Sequence, residues 1–101
     1  INQTEEKTMA TSTILAADNT AATSSDFTVN AGQLVTLSLF SAASLPTNIG
    51  FPVYLVGVSG EVYLGQLSAG DASRSIATPG TYRVKRPALS ASNSVGIMVV
   101  S

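Results

Sequence analysis

Short apolar runs separated by turn residues make up most of this chain. The clearest run covers residues 33–40, where Val35, Leu37 and Leu39 alternate with polar residues. This period of two is typical of a strand with one buried face and one polar face. No window of helical length carries a sustained apolar stripe at the 3.6-residue spacing of an amphipathic helix. The pattern therefore predicts an all-β protein.

The same pattern predicts an antiparallel β-sandwich of about seven or eight short strands, immunoglobulin-like in style. The predicted strands cover residues 12–17, 26–30, 33–40, 52–58, 61–68, 73–77, 81–86 and 94–100. The last of these is apolar on both faces, which predicts a position in the middle of the structure or in a subunit contact. Tyr82 follows a Pro-Gly-Thr turn and resembles the tyrosine corner of immunoglobulin-like domains, where the hydroxyl binds a backbone group.

The first ten residues differ from the remainder, because they are polar and precede any periodic pattern. We predict a flexible arm over residues 1–10 that becomes ordered only against a partner. Residues 11–101 are predicted to form a single domain, since domains usually have about 100–150 residues.

Charge is scarce, at 11% of the residues against about 25% in typical proteins. A surface with so few charged residues indicates that much of it is covered by another protein. The net charge of −1, with five basic residues, argues against binding to nucleic acid. No run approaches the roughly 20 apolar residues of a membrane span, so no membrane association is predicted.

The residue types needed for most catalytic sites are missing. The chain has no histidine and no cysteine, so it cannot form a Ser-His-Asp or Cys-His arrangement or a His- or Cys-ligated metal site. We therefore predict no enzyme activity, no cofactor and no metal. A pair of carboxylates such as Glu61 and Asp71 leaves a small hydrolase open as an alternative. Asp71, like Asp18 and Asp26, lies at or beside a predicted turn, where Asp is favoured for its backbone hydrogen bonds.

Three of the five basic residues, Arg83, Lys85 and Arg86, lie within four positions. Arg83 and Lys85 are expected on one side of a strand, since side chains alternate. They either form a solvated outer face that protects an edge strand or contact an acidic partner. Glu5 and Glu6 of a neighbouring arm would suit the second role.

Leu45, Ile49 and Phe51 are apolar residues in a predicted loop that contains Pro46 and is followed by Pro52. They either fold back as a lid over the core or form an apolar contact patch, and both interpretations stay open.

Tyr54 and Tyr63 lie in the two arms of a hairpin predicted around Ser59-Gly60. A cross-strand aromatic contact is the simpler interpretation. The same pair could instead stack against a sugar ring, which leaves a carbohydrate-binding or adhesin-type module as the main alternative function.

Two segments resemble small virion proteins of tailed bacteriophages. One is the run Pro-Gly-Thr-Tyr-Arg-Val-Lys-Arg-Pro at residues 79–87, and the other is Phe-Thr-Val-Asn-Ala-Gly at residues 27–32, leading into the strand at Val35. The resemblance covers residues 26–100 and implies a capsid decoration (cement) protein. No motif of the lambda-type decoration proteins matches, so a trimer is not inferred.

A decoration protein of this kind would bind the major capsid protein or another virion protein and would form a homo-oligomer on the particle. It would be made in the host bacterial cytoplasm and would reside on the capsid surface of the virion. The expected contact residues are Thr4, Glu5, Glu6, Lys7, Met9, Leu45, Ile49, Phe51, Arg83, Lys85 and Arg86.

Overall fold

The computed structural model describes residues 10–42, 45–90 and 93–101, and the regular elements within them are all β-strands. The arm candidates Thr4, Glu5, Glu6, Lys7 and Met9 lie outside the described residues. The strands are β1 (Thr11–Asp18), β2 (Ala22–Thr23), β3 (Phe27–Val29), β4 (Val35–Ser41), β5 (Phe51–Gly57), β6 (Gly60–Leu67), β7 (Ser73–Ile76), β8 (Gly80–Arg86) and β9 (Val95–Val100).

The strands form two antiparallel sheets. Sheet I has the order β1-β9-β4-β7, and sheet II has the order β2-β8-β5-β6 with β3 also paired to β8. β2 pairs with Lys85 and Arg86, whereas β3 pairs with residues 80–82 farther back along β8. The two short strands therefore act together as one interrupted strand at the edge of sheet II.

The order of pairing identifies a jelly roll. β1 pairs with β9, β2 and β3 with β8, β4 with β7, and β5 with β6, so the pairs nest like those of one long hairpin. Pairing of β4 with β9 and of β5 with β8 rolls this hairpin into two sheets. The predicted β-sandwich is confirmed. Its immunoglobulin-like style is not, because in that fold the first strand lies beside the second.

The core lies between the inner faces of the two sheets and follows the period of two that the sequence shows. In β4 the alternating residues Val35, Leu37 and Leu39 are all buried. β9 lies between β1 and β4, as its two apolar faces predicted. Val95 and Ile97 of β9 are fully buried.

Tyr82 makes the contact that its position after the Pro-Gly-Thr turn predicted. Its hydroxyl donates a hydrogen bond of 2.6 Å to the carbonyl oxygen of Thr78, four residues upstream. Its ring stacks on Phe27, with 5.7 Å between the ring centroids. This corner fixes the entry into β8 and so positions the polar residues on the outer side of that strand.

The sequence pattern did not predict the short strand β2, and it placed the β5–β6 turn one residue too late. β2 has only two residues, Ala22 and Thr23, which are too few to show any periodicity. The β5–β6 turn consists of Val58 and Ser59, one residue earlier than predicted, because Gly57 pairs with Gly60.

Candidate functional site

The outer face of sheet II carries a network of charged side chains centred on Arg83. The Arg83 guanidinium donates to Asp26 through two hydrogen bonds of 2.8 and 2.9 Å, and to Glu61 through a third of 2.8 Å. Asp26 directly precedes β3, while Glu61 is in β6. The network therefore crosses the whole sheet, from one edge strand to the other.

Lys85 extends this network toward two tyrosines. Its ammonium group lies 2.7 Å from a carboxylate oxygen of Glu61 and 4.7 Å from the centre of the Tyr54 ring. Tyr54 contacts Tyr63 edge-on across the β5–β6 hairpin, with centroids 6.0 Å apart, which confirms the predicted cross-strand pair. Two cations and two carboxylates balance, so this face carries no net charge to attract an acidic partner.

Hydrogen bonding sets the ionisation of the network. The bond from Arg83 holds the pKa of Asp26 below its ordinary value of 3.8. Bonds from Lys85 and then from Arg83 lower the pKa of Glu61 from 4.5, and the bond to Asp26 raises the pKa of Arg83. The acid of a glycosidase needs a raised carboxyl pKa. The shift of Glu61 has the opposite direction, which does not favour the hydrolase alternative.

Arg83 and Lys85 lie on one side of β8, as predicted, but β8 is not an edge strand. It is flanked by β2 and β3 on one side and by β5 on the other. The two side chains therefore do not protect a sheet edge, and their charges are instead used to hold neighbouring strands together.

Arg86 corrects the prediction of a surface contact, because it is only 3% exposed. Its guanidinium points inward and donates to the carbonyl oxygens of Thr20, Ala16 and Val95, at 2.6, 2.8 and 2.9 Å. The alternation along β8 predicts this burial, because Arg86 is four residues after the buried Tyr82 and therefore lies on the same face of the strand. Its role is to satisfy backbone groups inside the fold.

The loop before β5 lies against the core, which is the lid interpretation. Phe51 is 1% exposed and begins β5, so it is a core residue and not a surface contact. Leu45 and Ile49 are half-buried and pack against the core cluster. A shallow depression of about 480 Å³ lies beside Ile49, and its lining contains no titratable side chain.

The outer face of sheet I has no charged residue at eight adjacent positions, which we call the uncharged face. Two rows of paired residues cross the sheet there. The first row is Thr11, Val100, Thr36 and Ser75, and the second is Thr13, Met98, Ser38 and Ser73. The hydroxyls of Thr36 and Ser75 are hydrogen-bonded at 3.0 Å. The sequence pattern does not predict this face, because it forms only when four distant segments pair.

The β5–β6 hairpin extends beyond the rest of sheet II. Among the described residues, only 53–55 of β5 pair with β8, so no described third strand pairs with the hairpin from Val56 to its turn. Val58 at the turn is fully exposed, and Val62, Tyr63 and Leu64 of the edge strand β6 are 52, 57 and 43% exposed. This is the largest group of exposed apolar side chains in the described part of the chain.

The described residues provide no group of three acidic side chains that could hold a metal ion. None of their elements is a helix with the length and apolar character needed to cross a membrane. The candidate sites are thus the uncharged face, the charged outer face of sheet II and the edge of β6. No protein-family model, curated protein or solved structure matches this chain.

Proposed function

We propose that the protein is a structural component of a tailed-bacteriophage particle, a decoration protein that binds the capsid through its uncharged face. The observation that carries this proposal is the absence of charge from all eight positions of that face. The cores of protein interfaces are depleted in charged residues in the same way.

The composition of the uncharged face suits a flat, permanent contact. Met98 and Val100 supply apolar surface at its centre, and they are flanked by short Ser and Thr side chains. These side chains have few rotamers to lose when a partner covers them. The outer face of sheet II is a poorer contact, because binding there would remove water from four charged groups.

Three further observations support a virion role. The low share of charged residues fits a protein covered by neighbours, and the resemblance at residues 27–32 and 79–87 points to virion proteins. Jelly rolls are used in viral capsids and also in lectins, so the fold is compatible with the proposal and does not establish it. The arm at residues 4–9 is proposed as a second contact with the major capsid protein or another virion protein.

Particles assembled without this chain provide the test. The purified protein should sediment with such particles and raise their resistance to heat. Ser38→Lys places a charge in the uncharged face and should weaken binding at least about tenfold, because the charge is buried without a partner. Thr28→Lys, on the outer face of sheet II, is the matched control and should bind normally. Absence of the chain from native particles, or normal binding of Ser38→Lys, would contradict the proposal.

A carbohydrate-binding module is the second candidate, favoured by the exposed ring of Tyr63 beside hydrogen-bonding groups. Glu61 and Lys85 lie within the same network as the tyrosine pair, and sugar sites combine aromatic rings with polar groups. Glycan-array binding that is lost in Tyr54→Ala and Tyr63→Ala but kept in Leu64→Ala would support this function. No glycan binding by the wild-type protein would exclude it.

A further inference from the structure

The turn of the β5–β6 hairpin determines which backbone groups of β6 point away from the domain. Gly57 and Gly60 pair across a two-residue turn. In a hairpin with a two-residue turn the closing pair exchanges both backbone hydrogen bonds. Bonded and non-bonded pairs then alternate along the hairpin, so Glu61 and Tyr63 direct their N–H and C=O groups away from β5. β6 is the last strand of sheet II, and none of the strands that the structure describes lies on that side.

One part of this edge is protected and another is open. At Leu64 and Gly65 a β-bulge interrupts the pairing, and the Arg74 guanidinium reaches from β7 to the Leu64 carbonyl oxygen at 3.4 Å. Bulges and inward-pointing charges are common means of blocking an edge strand. Residues 60–63 have neither protection, and β6 contains no Lys, Arg or Pro. The open part therefore presents free hydrogen-bonding groups between exposed apolar side chains.

We propose that this open edge pairs with the same segment of a second copy, antiparallel about a two-fold axis at Val62. In this register Glu61 of each copy exchanges both backbone hydrogen bonds with Tyr63 of the second copy. The four bonds use the outward groups of Glu61 and Tyr63 and require no group beyond the bulge. Val62 then faces Val62 of the second copy in a close, non-hydrogen-bonded pair.

The charges and side chains of the edge match a second copy. The register places Glu61 opposite Tyr63, so like charges do not face each other, and Glu61 is already bound by Arg83 and Lys85. A pair of β-branched residues at the axis and tyrosines beside it are favourable cross-strand neighbours. Such an interface is isologous, which is the commonest symmetry of soluble dimers.

Pairing of the two copies also adds further strands to the protruding hairpin. A two-stranded hairpin without further strands is marginally stable in water, and residues 56–61 of this one extend beyond the pairing with β8. In the dimer, the two hairpins form a four-stranded sheet that continues sheet II from one copy into the other. The inference is independent of the virion role and would hold equally for a sugar-binding protein.

Sedimentation velocity of the full chain over a range of concentrations tests the dimer. The wild-type protein should be dimeric, and Val62→Lys should raise the dissociation constant at least about tenfold, since it opposes two charges at the axis. Leu34→Lys is the matched control, because Leu34 is an exposed apolar residue outside β6. A wild-type monomer at all concentrations would overturn the proposal, as would a dimer unaffected by Val62→Lys.

The register can be tested separately, because the natural chain has no cysteine. In the proposed pair the Cα atoms of the two Val62 residues are about 4.5 Å apart, within the range of a disulfide. Val62→Cys should therefore form a disulfide-linked dimer on mild oxidation. Leu64→Cys should not, because its Cα atoms would be about 13 Å apart. Equal cross-linking of the two variants, or none in Val62→Cys, would refute this register.

Discussion

Replacement of Arg86 by methionine is expected to be strongly destabilising. The change keeps much of the side-chain volume but removes donors from the carbonyl oxygens of Ala16, Thr20 and Val95. Ala16 lies where the pairing of β1 with β9 is interrupted between Leu15 and Asp18. The arginine thus satisfies backbone groups in a region where the sheet is irregular, and methionine leaves the buried Val95 carbonyl without a donor.

The expected magnitude follows from these three bonds. The Val95 carbonyl is buried, and a buried acceptor left without a partner costs about 1–3 kcal/mol. The bonds to Ala16 and Thr20 are only partly buried, so the loss of each costs about 0.5–1.5 kcal/mol. The lower limits of these three values give a loss of roughly 2 kcal/mol. Some buried charges can be replaced by apolar groups at no cost. That result requires that both partners be replaced, and here the acceptors are backbone atoms that remain. For a domain of this size a loss of about 2 kcal/mol corresponds to a fall in Tm of about 8–16 °C.

Thermal and urea unfolding followed by circular dichroism would measure this loss. Arg83→Met is the matched control, because it removes a guanidinium whose partners are solvent-accessible carboxylates, and its effect should be much smaller. Arg86→Lys should fall between wild type and Arg86→Met, since one ammonium cannot reproduce the planar fork. If Arg86→Met lowers Tm no more than Arg83→Met, the carbonyls have other donors and the reasoning fails.

Three other measurements test the fold and its charged face. Tyr82→Phe should lower the free energy of unfolding in urea by about 1 kcal/mol, because it removes the hydrogen bond to Thr78; an unchanged midpoint would contradict a structural role for the hydroxyl. The folded protein has pKa values of Asp26 and Glu61 below their ordinary values of 3.8 and 4.5, so their stabilisation should be complete above about pH 5. It should be lost as the pH falls below these ordinary values and through the lower pKa values of the folded state. Tm measured from pH 7 to pH 2 should fall less in Asp26→Asn/Glu61→Gln than in wild type, and parallel profiles would argue against the network. Gly96→Ala should lower the free energy of unfolding by about 1–3 kcal/mol, because the added methyl group would clash with the Phe40 ring and the Leu15 carbonyl oxygen. A urea midpoint equal to that of the wild type would show that the site has room for the methyl group.

Alternation along single strands allowed much of the core to be predicted. Val35, Leu37 and Leu39 are buried because a strand places every second side chain on the same face. The Tyr54–Tyr63 pair and the Tyr82 corner were predictable for a similar reason, since each depends on one hairpin or one turn. Such contacts join residues that are close in sequence, so local patterns contain enough information to predict them.

Contacts between distant segments were not predictable in this way. Arg83 is separated in the sequence from Asp26 by 57 positions and from Glu61 by 22, and nothing in the local sequence indicates that these residues interact. The prediction that β8 is an edge strand failed for this reason, since strand order depends on which segments pair. Arg86 is different, because the alternation along β8 places it inside, and only its charge favoured the prediction of an exposed contact residue.

The two proposed surfaces belong to different sheets, and this separation has a geometric consequence. In the proposed dimer, the two-fold axis at Val62 is perpendicular to the continuous sheet, because antiparallel pairing keeps the same face of both copies on one side. Sheet I of each copy therefore lies on that side, and both uncharged faces point in the same general direction. A dimer of this kind could place two uncharged faces on one repeating surface at once. Joining two sites raises overall affinity by a factor of about 10²–10⁴ where the geometry permits both to bind, so a weak single contact would suffice to hold the protein on a lattice.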